Sequence, residues 1–337
     1  MYNEKNEQQQ RGIYNAHNPV YTKPKDRGAL YRLVFGPAPF PFFTWGTAFA
    51  MLGVFIFELV RSGALTGNWI QTNPINPMIG PSSMVLINIG SLFSPCMRDT
   101  SEYPSTTTFS DCFTSGATCS LETLCGFGGF GGSTPNQTFR FFTPIFIHAG
   151  IIHIIINMVT HIQLGGQIER TLGLVRYIIL YIGSGIFGFV LSGLLSGTSS
   201  PSMGCSGALF GLIGYSLIEL IFEWRNVAHP VRELIKIIIT IIISLVIGLF
   251  PGIDNFAHLG GLLMGILLSV LLSNRNPLAS KGSKVMIWIV KALSLCLATI
   301  LFAVLLNKFY TASDLDTVCP QCKYFSCLPV NGWCDSK

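Results

Sequence analysis

The chain has 337 residues, with 21 Lys or Arg against 16 Asp or Glu, for a formal net charge of +5. Half of its residues are hydrophobic and 11% are charged, whereas a soluble domain carries about a quarter charged residues. That balance excludes an ordinary water-soluble domain and gives no footing for a nucleic-acid-binding surface. It predicts an all-α polytopic membrane protein, because runs of about 18 to 25 nearly uncharged residues recur, each long enough to cross roughly 30 Å of hydrocarbon as helix.

In chain order, residues 1–41 come first, with "NEKNEQQQ" near the start and no apolar run. They read as a disordered cytosolic tail and not as a cleaved signal peptide. Seven spans follow, at Phe42–Val60, Pro144–Leu164, Tyr177–Leu195, Cys205–Phe222, Leu234–Phe250, Ala257–Leu272 and Val285–Leu306. The domain plan is therefore a first span within residues 42–62 acting as an uncleaved anchor and a lumenal or extracellular loop over 63–143. Spans two to six fill 144–274, a seventh lies within 285–308, and a lumenal tail occupies 309–337.

Lys and Arg collect in cytoplasmic loops. With the N-terminus cytosolic, 14 of the 21 basic residues fall on that side, among them Arg27, Arg32, Arg170, Arg176, Arg225, Arg232, Lys236 and Lys281. Lys291 falls inside the last span, where its long stem reaches the interface or a partner helix.

Cysteine usage tests the same topology. Cys96, Cys112, Cys119 and Cys125 lie in the first loop and Cys319, Cys322, Cys327 and Cys334 in the tail, both on the lumenal side. Two even-numbered sets in an oxidising compartment predict disulfides, with connectivity left open. The competing reading of Cys319-x-x-Cys322 is a zinc pair, which a lumenal position disfavours. Asn136, in "NQT", is a candidate glycosylation acceptor. "CGFGGFGG", Cys125–Gly132, follows no strand and opens no helix, so it reads as a flexible loop and not as a phosphate cradle. The first loop as a whole reads as irregular chain pinned by disulfides.

Polar residues at membrane depth carry the functional signal, because they are costly there. The second span holds His148, His153, Asn157 and His161, the last three at four-residue spacing on one helical face. Ser206 opens the fourth span and His258 lies near the start of the sixth. With alternate spans antiparallel, Ser206, His258, His153 and Asn157 share one depth. Gly207 and Gly211 on the fourth span and Gly261 and Gly265 on the sixth are small-x-x-x-small pairs that allow close helix approach. Alone, Ser206 reads as a helix cap, and the histidines read equally as metal ligands or proton relays.

Taken together, "GCSGALFG" around Ser206, the downstream "AHLGG" and the upstream "HAGIIHIIIN" leading to "LGGQIER" resemble the rhomboid intramembrane serine proteases. The layout is similar to the secretase type, a six-helix core plus one C-terminal span. The resemblance implies Ser206 as nucleophile between Gly204 and Gly207, and His258 as general base. His153 and Asn157, with the backbone N–H groups of Cys205 and Ser206, would hold the oxyanion. It implies a structural role for His148, a stacking partner of the base in Phe210, and a polar cluster at Glu169 and Arg170. Arg140, in "FRFF", matches the tryptophan-arginine motif of the first loop, with Phe139 in place of tryptophan. His161 lies outside the family's core motif and its role is open.

The implied activity is endoproteolysis of other membrane proteins near the lumenal edge of helix-destabilised transmembrane segments, without metal or cofactor. The implied setting is the bilayer of the Golgi, endosomes or plasma membrane, with the N-terminus cytosolic and the C-terminus lumenal. Asp254 is the only acidic residue near His258, and its loop position argues against a triad. An inactive, client-binding relative and a histidine-lined transporter are the competing classes.

Overall fold

The computed structural model describes residues 36–132, 134–198, 200–249, 253–273 and 284–322, together with Phe325. Helix dominates. The first, α1, is Phe42–Thr66. Its buried stripe, Thr44, Thr47, Met51, Phe55, Glu58 and Ser62, recurs every three to four residues. The outward face carries Phe49, Leu52, Ile56, Phe57 and Val60. The inner stripe is thus the more polar one, the inverse of a water-facing amphipathic helix and the pattern suited to a lipid surround.

The first loop contains short helices α2, Ser83–Asn88, and α3, Leu121–Cys125. Between them Thr108–Ser110 (β1) pairs antiparallel with Thr118–Ser120 (β2), the one departure from an all-α chain among the described residues. Disulfides join Cys96 to Cys125, Cys112 to Cys119, and Cys319 to Cys322. The last of these takes the two C-x-x-C sulfurs out of metal-ligand chemistry; Cys327 and Cys334 lie outside the described residues. "CGFGGFGG" is not the flexible loop its composition predicts. Gly126, Phe127, Gly128 and Gly129 all take positive φ, and Gln137 Nε2 donates to the Gly126 and Gly129 carbonyls while Phe130 is buried.

The second span differs from its expected bounds. Pro144 lies in a 3-10 turn, Thr143–Phe146, and regular helix begins only at Ile151. From there α4, Ile151–Thr160, runs through a π-helical segment, His161–Gly165, into α5, Gly166–Leu172. After a break at Gly173, α6 spans Leu174–Leu195. It is followed by α7, Ser206–Phe222, α8, Pro230–Ile247, α9, Asn255–Leu272, and α10, Lys284–Thr311. By length and composition five helices among the described residues can cross a membrane: α1, the continuous α4–α5 helix, α6, α9 and α10. The apolar α7 has 17 residues. α8 carries Arg232, Glu233 and Lys236 near its start and buries none of its residues. Phe250, the expected end of the fifth span, lies outside the described residues.

Residues 1–35 of the expected tail likewise lie outside. The last residues before α1 are docked, with Ala38 N–H donating to Arg170 O at 3.0 Å.

At the centre, α9 is wedged between α6 and α7. A Cβ on Gly261 would overlap the Gly207 carbonyl oxygen, and one on Gly265 would overlap Gly211 Cα. On the other side a Cβ on Gly260 would come 2.9 Å from Gly188 Cα. The two expected glycine pairs therefore meet, and Gly188, Gly214 and Gly260 extend the contact. Gly214 belongs because a Cβ there would fall 2.9 Å from Leu262 O. Where lipid tails are as apolar as leucine, such packing and interhelical polar contacts drive association more than hydrophobic burial does.

Helix ends are satisfied by side chains both local and distant in sequence. The Glu169 carboxylate accepts from Phe43 N at 2.9 Å, Thr44 N at 2.8 Å and Thr44 Oγ1 at 2.7 Å, a tertiary cap on α1. Asp254 caps α9 by accepting from Phe256 N and Ala257 N at 2.9 and 3.1 Å. At the opposite end of α9, Arg176 and Lys291 donate to Leu272 O and Ser273 O. Anion and cations thus sit at the ends of α9 that the helix dipole favours, and Lys291 engages a partner helix.

Gly261→Ala should destabilise the protein by about 1–3 kcal/mol, the range for overpacking a tight contact, because the neighbour is backbone. Gly46, with open space where a Cβ would stand, is the control: Gly46→Ala, inside α1, leaves the thermal midpoint in detergent unchanged or raises it. Equal midpoints for both variants would contradict the close approach of α7 and α9.

Candidate active site

Two loops deliver the chain to the head of α7. Leu92 and Ser202 exchange backbone hydrogen bonds at 2.9 Å, and Gly204 N–H donates to Pro144 O at 2.8 Å. Gly204 has φ +118, a conformation glycine adopts without the steric cost a side chain brings. Cys205 is then the residue flanking the helix, with no side-chain capping bond. Ser206, the first helical residue, turns its hydroxyl elsewhere. Its Oγ lies 2.8 Å from His258 Nε2, so the capping reading of Ser206 fails.

Ser206 is half-buried and His258 is 4% exposed. The imidazole lies flat on Phe210, with ring centroids 4.4 Å apart and planes at 11°. Its Nδ1 meets no hydrogen-bonding atom among the described residues. Asp254 does not serve it: its carboxylate is occupied by the α9 cap and by the hydroxyls of Ser192, Ser196 and Ser202.

His153 and Asn157 lie against Gly204, two residues before Ser206. A Cβ on Gly204 would fall 2.8 Å from His153 Cε1 and 3.6 Å from Asn157 Nδ2, so backbone and side chains meet there in contact. Ala149 N–H donates to His153 Nδ1 at 3.2 Å. That nitrogen is therefore the acceptor, and the ring proton sits on Nε2. Asn157 Nδ2 is buried without a partner among the described residues. The first N–H groups of α7 have no intrahelical acceptor by position. A buried donor amide and a ring N–H against Gly204, two residues before Ser206, together with free helix N–H groups, form an arrangement suited to developing negative charge.

His148 is fully buried, with its ring edge-on to His153 at 5.4 Å. His161 is not in this site. Its Nε2 lies 2.9 Å from both Thr44 O and Thr47 Oγ1, which ties the π-helical segment to α1. Glu169 is also remote, at the α1 cap. Arg140 is a hub of the first loop, 0% exposed. It donates to Gln137 Oε1 at 2.8 Å, Ile87 O at 2.8 Å, Ser91 O at 2.6 Å, and Cys125 O. Burial lowers its pKa to about 9, which leaves it charged at neutral pH. Its forked donors join three loop segments and the Cys96–Cys125 bridge in one knot. Asn136, in the same region, is exposed.

Sequence reasoning passed over Glu58, a fully buried carboxylate in α1 whose Oε1 accepts from His148 N at 3.0 Å. The available signal was its charge inside an apolar run.

A Rhomboid domain model matches residues 135–275. Rhomboid-type serine protease 2 of Emericella nidulans is 36% identical to this chain across 87% of it and 71% of the relative's own length. RHOMBOID-like protein 1 of Arabidopsis thaliana is 35% identical over 59% of this chain and 55% of its own length. Inactive rhomboid protein 1 of Danio rerio is 29% identical over 62% of this chain but only 24% of its own.

Gly204→Ala combines a disfavoured backbone conformation, about 1–2 kcal/mol, with contact against the His153 ring. Thermal unfolding in detergent should show a lower midpoint than wild type, and an unchanged midpoint would rule out the close approach of this turn to His153.

Proposed function

The chain belongs to the rhomboid family of integral membrane proteins, whose proteases cut membrane-protein substrates within the bilayer, and from that premise we propose that it is an active intramembrane serine endopeptidase. The observation that carries the reading is the 2.8 Å contact between Ser206 Oγ and His258 Nε2.

His258, protonated on Nδ1, accepts the Ser206 proton through Nε2 as the hydroxyl attacks a peptide carbonyl, then returns it to the leaving amine. With Asp254 committed to the helix cap, the ring is oriented by packing. Phe210 fixes its plane, and the π-face attracts the imidazolium once it forms. The oxyanion is met by His153 Nε2–H, Asn157 Nδ2 and the backbone N–H groups of Cys205 and Ser206. Asn157 supports this role because its amide is buried with no partner of its own among the described residues.

The substrate is another protein's transmembrane segment, cut near its lumenal edge. A peptide bond within a helix is protected by its own hydrogen bonds, so Gly, Ser or Pro near that edge favours cleavage. Seven spans, with α7 and α8 counted, leave the two termini on opposite sides, and the Lys and Arg bias supports a cytosolic N-terminus with both cysteine-rich segments in the lumen of the secretory pathway or outside the cell. The three disulfides support that orientation. Asn136 is then on the side where glycosylation takes place. Inactive relatives exist in the family, as the fish protein's name states; the paired Ser206 and His258 support activity here.

The test is a reporter with a helix-destabilised span. Wild type releases its lumenal domain, whereas Ser206→Ala and His258→Ala do not; release by Ser206→Ala equal to wild type would sink the mechanism. Asn157→Ala should keep its thermal midpoint and cleave about 100- to 1000-fold more slowly, the scale for one lost oxyanion donor, as read from initial rates.

A further inference from the structure

We propose that Glu58 is a positioning residue for this site, acting through two consecutive peptide groups to set the orientation and tautomer of His153. The inference rests on the reading of His153 as an oxyanion donor.

Glu58 is 0% exposed on α1, and its one hydrogen bond among the described residues is the Oε1 contact to His148 N–H at 3.0 Å. Its second oxygen, Oε2, is buried and unpartnered. Placing a carboxyl group in an apolar span for a single amide contact is costly unless that amide matters. The next amide along the chain, Ala149 N–H, is the donor to His153 Nδ1 at 3.2 Å. The carbonyl of the same residue is held from the other side, by Asn76 Nδ2 at 3.2 Å. Just beyond it, Ile151 N and Ile152 N donate to Ile79 O and Met78 O at 3.0 and 3.2 Å. The non-helical strap at 147–150 is thus gripped at every peptide that precedes the catalytic face of α4.

The consequence for His153 is chemical. An N–H donated to Nδ1 forces the ring proton onto Nε2, the nitrogen beside Gly204. Without the Glu58 acceptor, His148 N–H is an orphan in the interior and must turn toward another partner. Ala149 N–H lies in the next peptide plane, hinged to the first at His148 Cα, so release of the first plane frees φ and ψ of His148 and loosens the hold on the second. His153 is then free to carry its proton on Nδ1, which leaves an acceptor on Nε2 where a donor is needed.

A double-mutant cycle with His153 tests this on the full chain in detergent or proteoliposomes, with the transmembrane reporter. Glu58→Leu should lower kcat about 10- to 100-fold, at or below the loss for removing one oxyanion donor, with KM within about twofold. Glu58→Gln, which keeps an acceptor oxygen, should restore most of the rate. In a His153→Ala background Glu58→Leu should have no further effect. Ring nitrogen chemical shifts of His153 should report Nε2–H in wild type and Glu58→Gln, and a change of tautomer in Glu58→Leu. Additive losses in the cycle, or failure of glutamine to restore the rate, would overturn the proposal. If Glu58→Leu does not fold, Asn76→Ala releases the same strap from its other side and enters the cycle with the same expected outcome. A wild type that fails to cleave, or a Ser206→Ala that cleaves, speaks against the dyad itself and not against the role of Glu58.

Discussion

Everything at the centre of this molecule depends on α7 and α9 approaching backbone to backbone. Gly207 and Gly211 on one helix and Gly261 and Gly265 on the other leave no room for a Cβ at the latter two positions. Only at that separation does a serine side chain, among the shortest polar ones, span from α7 to the imidazole on α9. A leucine-lined interface at the usual 8–10 Å interaxial distance would hold the helices together as firmly and leave Ser206 out of reach of His258. Gly188 and Gly260 repeat the arrangement between α9 and α6, so the helix bearing the imidazole is clamped on two sides.

A second constraint comes from polarity. An interior this apolar has to accommodate Glu58, His148, His153, Asn157, His161 and Glu169, with a half-buried Asp254 at its edge. Most are placed against backbone groups that need them: Glu169 at the first amides of α1, Asp254 at those of α9, His161 at a carbonyl of α1, Glu58 at the His148 amide. Buried polar groups and exposed helix ends each carry a penalty alone, and pairing one with the other relieves both. The atoms left over are informative for the same reason. The Asn157 amide is one, and it lies against Gly204, two residues before the serine.

Much of this was legible in the residues. Ser206, His258, His153 and Asn157 stood out because polar side chains recurred at matching depth in apolar runs, and the family's motifs ordered them. The glycine pairs were visible as spacing. Bounds were less so: hydropathy carries no sign of where an apolar run ceases to be helical, so the second span was placed at Pro144 although helix starts at Ile151. Pro144 and Gly150 were the available markers. Glu58 was hidden because its partner is a backbone amide 90 residues away, a contact that leaves no spacing pattern. "CGFGGFGG" misled in the opposite direction. Its glycines mark the positive-φ turns of an ordered segment held by Gln137 and Arg140, and composition alone does not separate that from mobility.

The cap on α1 has a consequence for how the chain is assembled. Glu169 lies 125 residues beyond Thr44, so the first helix is synthesised and inserted long before its terminal amides meet their carboxylate. Water must solvate that end in the interval, which confines it to the membrane surface and forbids it from sinking inward. Once the second helix is complete, Glu169 takes the amides of Phe43 and Thr44, and His161 takes the Thr44 carbonyl and the Thr47 hydroxyl in the same first turn of α1. The first span is thereby set at a depth and rotation dictated by the second, and that placement is what brings Glu58 to the strap.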